Sequence, residues 1–167
     1  MEEGLEFGLK WNEDGSMSLP KKSNQKKGKA SREAGARFEL KVRADLEDKK
    51  WIVDRWSNNV DLENQKIIPA KKKWKYNPFR KIMMPSVQST GFPDFIAFQL
   101  LNKDRYQVIG VEVKSNGILS KTEKQKCKFL LDKKIFSQIL IAKKKKLGRK
   151  IGVEYIDFKE KYKKLFD

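Results

Sequence analysis

Two apolar runs, FPDFIAFQL from Phe92 and YQVIGVEVKS from Tyr106, are separated only by the polar LNKDR. That arrangement predicts two neighbouring strands joined by a hairpin of the longer-loop kind. Period-2 alternation then sets Ile109, Val111 and Val113 on one face, and Val108, Gly110, Glu112 and Lys114 on the other. A glutamate and a lysine two positions apart in an otherwise dry strand, with Asp94 directly after Pro93 at the head of its neighbour, need a reason.

The rest of the chain limits the reasons available. Its 167 residues fit one domain with a single core. Lys and Arg number 39 against 22 Asp and Glu, a net charge of +17, which favours polyanionic partners. No apolar run approaches the roughly 18 residues of a membrane span. The opening MEEGLEFGLKWNEDG is acidic and interrupted by charge where a secretory signal would be basic and then apolar, so the expected location is intracellular and cytoplasmic. Cys127 is the only cysteine, which excludes an intramolecular disulfide and a multi-cysteine zinc site, and it is expected as a small buried hydrophobe. Histidine is absent altogether. Catalysis by this chain therefore has to come from carboxylates, lysine, tyrosine or a hard metal ion.

Residues 1–30 read as an extension: LEFGLKWNEDGSMSL as a small hairpin about Asp14-Gly15, then PKKSNQKKGKAS as a mobile linker or basic arm. The main domain is expected over 31–167, beginning with a helix in SREAGARFELKVRADLEDKKW, N-capped by Ser31. Gly35, Glu39, Val42 and Leu46 recur there at helical spacing with Phe38 and Ala34 beside them, so Glu39 lies on or beside the apolar face. WIVDRW follows as a short strand, and 57–91 as an extended basic loop with a short hairpin about Asn64-Gln65. After the central hairpin, Ser120 and Glu123 have capping-box spacing at the start of a helix that should bury Cys127, Leu130, Leu131 and Ile135. FSQILIA is a strand, KKKKLGRK a basic turn, IGVEYIDF a last strand and KEKYKKLFD a short amphipathic helix. The order defines an α/β domain with a mixed sheet.

A V-E-V-K alternation on a half-exposed strand can simply face water. Taken together, however, Asp94, Glu112 and Lys114 converge through the hairpin, and the helix bearing Glu39 is expected to pack over the same sheet. Carboxylates crowded without histidine or cysteine form an all-oxygen site suited to Mg²⁺ or Mn²⁺. Such an ion stabilises charge on a phosphoryl oxygen and acidifies bound water, with Lys114 placed to orient that water or neutralise the transition state. Glu39 has a blander alternative in a helix-surface ion pair with Lys41 or Arg43.

Pro93-Asp94 followed by Glu112-Val113-Lys114 resembles the PD-(D/E)xK nuclease superfamily. FELKVRADLEDKKWIVDRW is similar to the opening of archaeal Holliday junction resolvases, with Glu39 and Arg55 in the places of that family's helix glutamate and strand-end arginine. VEVKSNGILSKTEKQKCKFLL also resembles the VRR-NUC branch, in which a glutamine, here Gln125, follows on the next helix. The likeness covers about 31–143 and implies a restriction-endonuclease-like αβββαβ core, a mixed sheet flanked by helices. It further implies that Asp94, Glu112, the Val113 carbonyl and Glu39 hold the metal while Lys114 serves catalysis. Where small resolvases have a short loop, this chain inserts most of 57–91.

AKKKWKYNPFRK interleaves Lys71, Lys72, Lys73, Lys75, Arg80 and Lys81 with Trp74, Tyr76 and Phe79, cations for phosphates and aromatics for bases. The alternative is a solvated loop whose aromatics anchor it to the domain. Arg55 is either a phosphate clamp or the partner of Asp54 or Asp61, and Gln125 either a site residue or plain helix surface. The expectation is a Mg²⁺-dependent DNA endonuclease, structure-specific in the manner of the Holliday junction resolvases it resembles, acting on branched or duplex DNA with resolution of branched DNA foremost. It is expected to work as a homodimer, since symmetric cutting of two strands calls for two sites related by a two-fold axis. The alternatives are a VRR-NUC-type nuclease acting on flaps, a non-catalytic DNA-binding protein of the same fold, and an RNA-directed enzyme of tRNA-splicing type, for which a histidine is missing.

Overall fold

The computed structural model of the chain describes the backbone of residues 10–11, 17–18, 22–77, 81–89 and 91–167, with side chains from 27 onward except 72–73, 75–77 and 85–89. It divides into two compact units, Met1–Phe38 and Glu39–Asp167. In the first, β1 (Lys10–Trp11) pairs antiparallel with β2 (Met17–Ser18), while the expected Asp14-Gly15 turn lies outside the described residues. Helix α1 runs from Lys22 to Asp48 and belongs to both units. The basic arm that reads as a mobile linker is therefore helical from Lys22, and Ser31 is an interior residue, not a cap. Lys, Gln and Ala favour helix, and no proline interrupts the chain between Pro20 and Pro69, so propensity outweighs the lack of apolar periodicity.

In the second unit the end of α1 buries Val42 and Leu46 and carries exposed i,i+4 pairs, Arg43 with Glu47 at 2.8 Å and Lys49 with Asp45 at 2.6 Å. The helix stops where Lys50 turns left-handed, φ 68°, and the Trp51 amide donates back to the Leu46 carbonyl at 3.0 Å.

The strands are β3 (Ile52–Arg55), β4 (Asn58–Asp61), β5 (Lys66–Pro69), β6 (Lys72–Asn77), β7 (Ile82–Ser89), β8 (Phe95–Asn102), β9 (Arg105–Val113), β10 (Gln138–Leu147) and β11 (Lys150–Asp157). Five of them form the main sheet in the order β11-β10-β9-β8-β3. All neighbours are antiparallel except β9 and β10, which run parallel with Val111 opposite Leu140. A parallel pair needs a crossover, and α2 (Lys121–Asp132) supplies it. The protein is thus α/β, with a mixed sheet flanked by helices. Val53, Ala97, Ile109 and Val111 are buried on one face, where the Tyr155 hydroxyl of β11 donates to Asp45 of α1 at 2.8 Å. On the other face Ile139 and Ile141 pack with Cys127, Phe129 and Leu130 of α2 and with Phe136. Leu131 and Ile135, expected inside, are partly buried at the margin of that layer. The Ser120/Glu123 capping box is present, with both reciprocal hydrogen bonds formed.

Within 57–91 the short hairpin expected about Asn64-Gln65 is present, while much of the remaining described chain is strand where an extended loop was expected. Beta strands β4 and β5 form one hairpin about Asn64-Gln65, whose turn is tied by Asp61 accepting from the Glu63 and Asn64 amides. A second hairpin joins β6 to β7. Neither belongs to the main sheet, so neither needs the alternating apolar face by which a strand is recognised. Lys143 to Lys146, read as a basic turn, lie inside β10, and the turn is only Gly148-Arg149, with Gly148 at φ 60°. They extend past Ala142, the last partner of β9, where β11 alone pairs with them and Lys143 meets Glu154 at 3.0 Å. The chain ends in the short helix α3 (Phe158–Lys161) and a 3₁₀ turn over Lys163–Leu165, with Phe158 buried. No described helix is long and apolar enough to cross a membrane.

Gly110 is required by close approach: a Cβ there would lie 2.9 Å from Pro93 Cγ and 3.1 Å from a Phe136 ring carbon. Neither a proline ring nor a buried phenyl can swing away. Gly110→Ala should therefore destabilise the protein by about 1–3 kcal/mol, as overpacking does, which urea denaturation would measure as a lower midpoint at unchanged slope.

Candidate active site

The register of the central hairpin creates the site. Phe95 opposite Val111 brings the residue before β8, Asp94, level with the end of β9, and the Val113 amide donates to Asp94 Oδ2 at 2.8 Å. Asp94 is also held through its backbone, its carbonyl accepting from the Trp56 amide at 3.2 Å, while Phe92 N–H donates to Asn58 O at 2.9 Å. Gly91 completes this junction, since a Cβ there would fall 2.1 Å from the Trp56 carbonyl oxygen. The insertion hairpin β4–β5 is thereby fastened to the Pro93-Asp94 corner. Lys126 of α2 adds a further tie, donating to Asn59 Oδ1 at 2.7 Å and lying over the Phe92 ring.

Glu112 is 4 % exposed, and its Oε2 is buried with no hydrogen-bond partner. Lys114 Nζ stands 3.1 Å from Glu112 Oε1 and 2.7 Å from Glu123 Oε1. Burial pushes the Glu112 carboxyl from 4.5 up to about 8, and the nearby Asp94 adds to the rise. Asp94 is raised too, chiefly by burial, against the Val113 N–H and Lys114, which favour its charged form. Burial would lower Lys114, but its bonds to Glu123 and Glu112 outweigh that and hold the ammonium above the ordinary lysine value. Glu123, although burial works against it, is lowered by Lys114 and by the Ser120 amide. Of the two acids that face the Lys114 ammonium, Glu123 is favoured in its charged form and Glu112, by burial, in its protonated form.

Glu39 and Arg55 are further charged neighbours of Asp94. The Arg55 guanidinium is 3.8 Å from Glu39 Oε2, and Glu39 is raised by burial and by Asp94, with Arg55 opposing. Of the blander partners, Arg43 bonds Glu47 and the Val53 carbonyl, Asp54 accepts from the Arg55 amide, and Asp61 accepts from Glu63 and Asn64, while the Arg55 guanidinium faces Glu39. Asp94 is the common neighbour of Glu39 and Glu112. Even so, among the described residues no three His, Cys, Asp or Glu side chains form a metal-holding group. Asp94, Glu112, Val113 and Lys114 come together, with Glu39 and Arg55 adjoining.

Of the expected nucleic-acid contacts, Lys71, Trp74 and Lys81 are exposed, and Gln125 is on an outer turn of α2. Lys72, Lys73, Lys75 and Tyr76 belong to β6 with side chains outside the described set, and Arg80 lies outside the described residues. Sequence reading missed Glu123 as a site residue. Its capping-box spacing accounted for it fully, yet only one oxygen caps, accepting from Ser120 N–H at 2.8 Å, and the other holds Lys114. The signal was its place in the first turn of the helix that follows Lys114.

A buried carboxyl with an orphaned oxygen, Glu112, beside the half-buried Asp94 fits a divalent cation of the Mg²⁺ type, which is held by one or two carboxylates and otherwise by water and substrate oxygens. Comparison with protein-family models, with curated proteins and with solved structures returned no match.

The elevated Glu112 predicts a pH dependence of stability for the metal-free protein. Between about 4.5 and 8 the folded state holds a proton that the unfolded chain releases, so stability falls as pH rises through that window. Glu39 and Asp94 act in the same sense, whereas Glu123 gains stability with rising pH. Thermal melts in EDTA from pH 5 to pH 8 should show a declining midpoint, and Glu112→Gln should flatten the decline.

Proposed function

We propose that this chain is a divalent-metal-dependent DNA endonuclease of the PD-(D/E)xK kind, acting as a homodimer on duplex or branched DNA. The observation that carries it is the pairing of Asp94 with the Val113 amide, next to a buried Glu112 whose Oε2 has no protein partner and whose Oε1 meets Lys114. The order α1, β3, β8, β9, α2, β10, with β9 and β10 parallel, is consistent with the αβββαβ arrangement that the motif implies. The surplus of cations supplies the polyanion affinity, which three acids at a bare site would only weaken.

Asp94 and Glu112, with the Val113 carbonyl, would hold the cation, and Glu39 stands beside Asp94 to complete the acidic side. Bound there, Mg²⁺ or Mn²⁺ would supply an acidified water and charge stabilisation at the phosphoryl oxygens. Lys114, kept cationic by Glu123, stabilises the negative charge that develops on the phosphate. Its ammonium is a donor, not a general base, at neutral pH. Glu123 is a positioning residue that fixes the amine from the first turn of α2. Arg55, 57 % exposed in its side chain, is free on its outer side to clamp a flanking phosphate. A non-catalytic DNA-binding reading draws on one specific fact, the lack of a three-donor metal group among the described residues.

Incubation with linear duplex, single-strand, flap and four-way junction DNA distinguishes the two. Mg²⁺ or Mn²⁺ should permit cleavage of at least one of them, and EDTA should stop it. Lys114→Ala and Glu112→Gln should each lower the rate by on the order of 10²–10⁴-fold while DNA retention in EDTA survives. Absence of cleavage on every substrate leaves the binding reading in place.

A further inference from the structure

The β6–β7 hairpin is a two-stranded sheet of its own, joined to no strand of the main sheet. Such a ribbon is marginal in water without something to lie against. It nevertheless presents large apolar side chains outward: Trp74 is 62 % exposed, Ile82 51 % and Met83 54 %. Trp74 sits opposite Pro85, and Met83 and Ile82 sit near the turn end of the ribbon, opposite Tyr76 and Asn77. The charge around them has one sign. From Asn64 to Pro93 the sequence contains no acid, and Lys71 and Lys81 are exposed at the two ends of β6.

The base of the ribbon is attached to the candidate active site. Ser89 ends β7 five positions before Asp94, the Phe92 amide donates to Asn58 O just before that residue, and on the other arm, ahead of β6, the Ala70 amide donates to Ser57 O. At roughly 3.3 Å per residue, β7 itself is about 25 Å long from Ile82 to Ser89, some seven base pairs at about 3.4 Å each.

We propose that the β6–β7 ribbon is a wedge that engages DNA where base stacking is interrupted, so that the preferred substrate is a branched or splayed duplex in place of continuous B-form DNA. Lys71 and Lys81 take phosphates, while Trp74 and Met83, which the register sets on one face of the ribbon, lie against a base pair left open at the branch and Ile82 flanks them from the opposite face. Exposed apolar side chains within an all-cationic segment match that ligand, since a purely phosphate-binding ribbon gains nothing from them and a protein-docking face would be disfavoured by unrelieved positive charge. This inference deepens the nuclease reading and rests on it for the choice of DNA.

The test uses the full-length protein in EDTA, with fluorescence anisotropy on a labelled four-way junction, a splayed duplex and a continuous duplex of equal length. The protein should favour the interrupted substrates by about tenfold or more. The triple variant W74A/I82S/M83S should lose on the order of 10- to 100-fold on those and stay within about threefold on continuous duplex. A 2-aminopurine placed at the branch should change its emission on binding the unaltered protein and not the variant. The double variant K71A/K81A should weaken binding to all three substrates alike and reduce the salt slope by about 2. Circular dichroism melts establish that both variants are folded. Equal losses on all substrates with the triple variant, no loss at all, or no preference by the unaltered protein overturn the wedge. Cleavage with Mg²⁺ is scored separately: branch preference without cutting sinks the nuclease reading and leaves the wedge, whereas cutting by a triple variant that keeps full branch preference does the reverse.

Discussion

The candidate site depends on a carboxyl that the fold buries at the end of its central strand. Glu112 lies in β9, which has β8 on one side and β10 on the other, so water reaches neither edge of the strand. Its side chain points into the layer beneath α2, where it is 4 % exposed. An ionised carboxylate there would be severely penalised without a cation. The molecule answers with a proton held to about pH 8 and with Lys114, which is in turn anchored by Glu123. Every other element of the site can be described by how it reaches this group.

Three separate connections converge on it. The β8–β9 register brings Asp94 alongside Val113. The capping box at the start of α2 fixes the first turn of that helix, so the same glutamate that closes the helix end also holds the lysine. The insertion between β3 and β8 is not a loose appendage, because its first hairpin is bonded into the Trp56 to Asp94 corner and to Lys126 of α2. An arrangement in which stabilising hydrogen bonds end at a polar group left partly unsatisfied is characteristic of a functional site.

Much of this was legible without coordinates. The central hairpin, the second helix with its cap and the burial of Cys127 follow from local patterns whose physical causes act over a few residues. The pairing of Asp94 with the end of β9 was legible as well, because a hairpin of known turn brings known residues abreast. The errors share a cause. Residues 20–31 read as a linker and Lys143 to Lys146 as a turn, because runs of lysine carry no apolar periodicity, yet the first is helix from Lys22 by propensity and the second is strand by pairing with β11. The β4–β5 hairpin was legible from its Asn64-Gln65 turn, and it buries Val60, whereas the β6–β7 ribbon escaped because it joins no other sheet and its lysines carry no apolar alternation.

The sequence by itself determined which chemistry is open to this protein: without histidine and with a single cysteine, carboxylates, lysine, tyrosine and hard cations remain, and that follows from side-chain inventory alone. It also determined the short-range geometry of the β8–β9 hairpin and of the α2 cap, which depends on turns and hydrogen bonds within about ten residues. Tertiary structure alone decided that Glu123 belongs with Lys114, that Glu39 answers to Arg55, and that one Glu112 oxygen is sealed away without a partner. Those outcomes depend on how a helix end, a strand end and an inserted hairpin approach one another in space, and desolvation is a property of that assembled environment, which no individual residue carries in its letter.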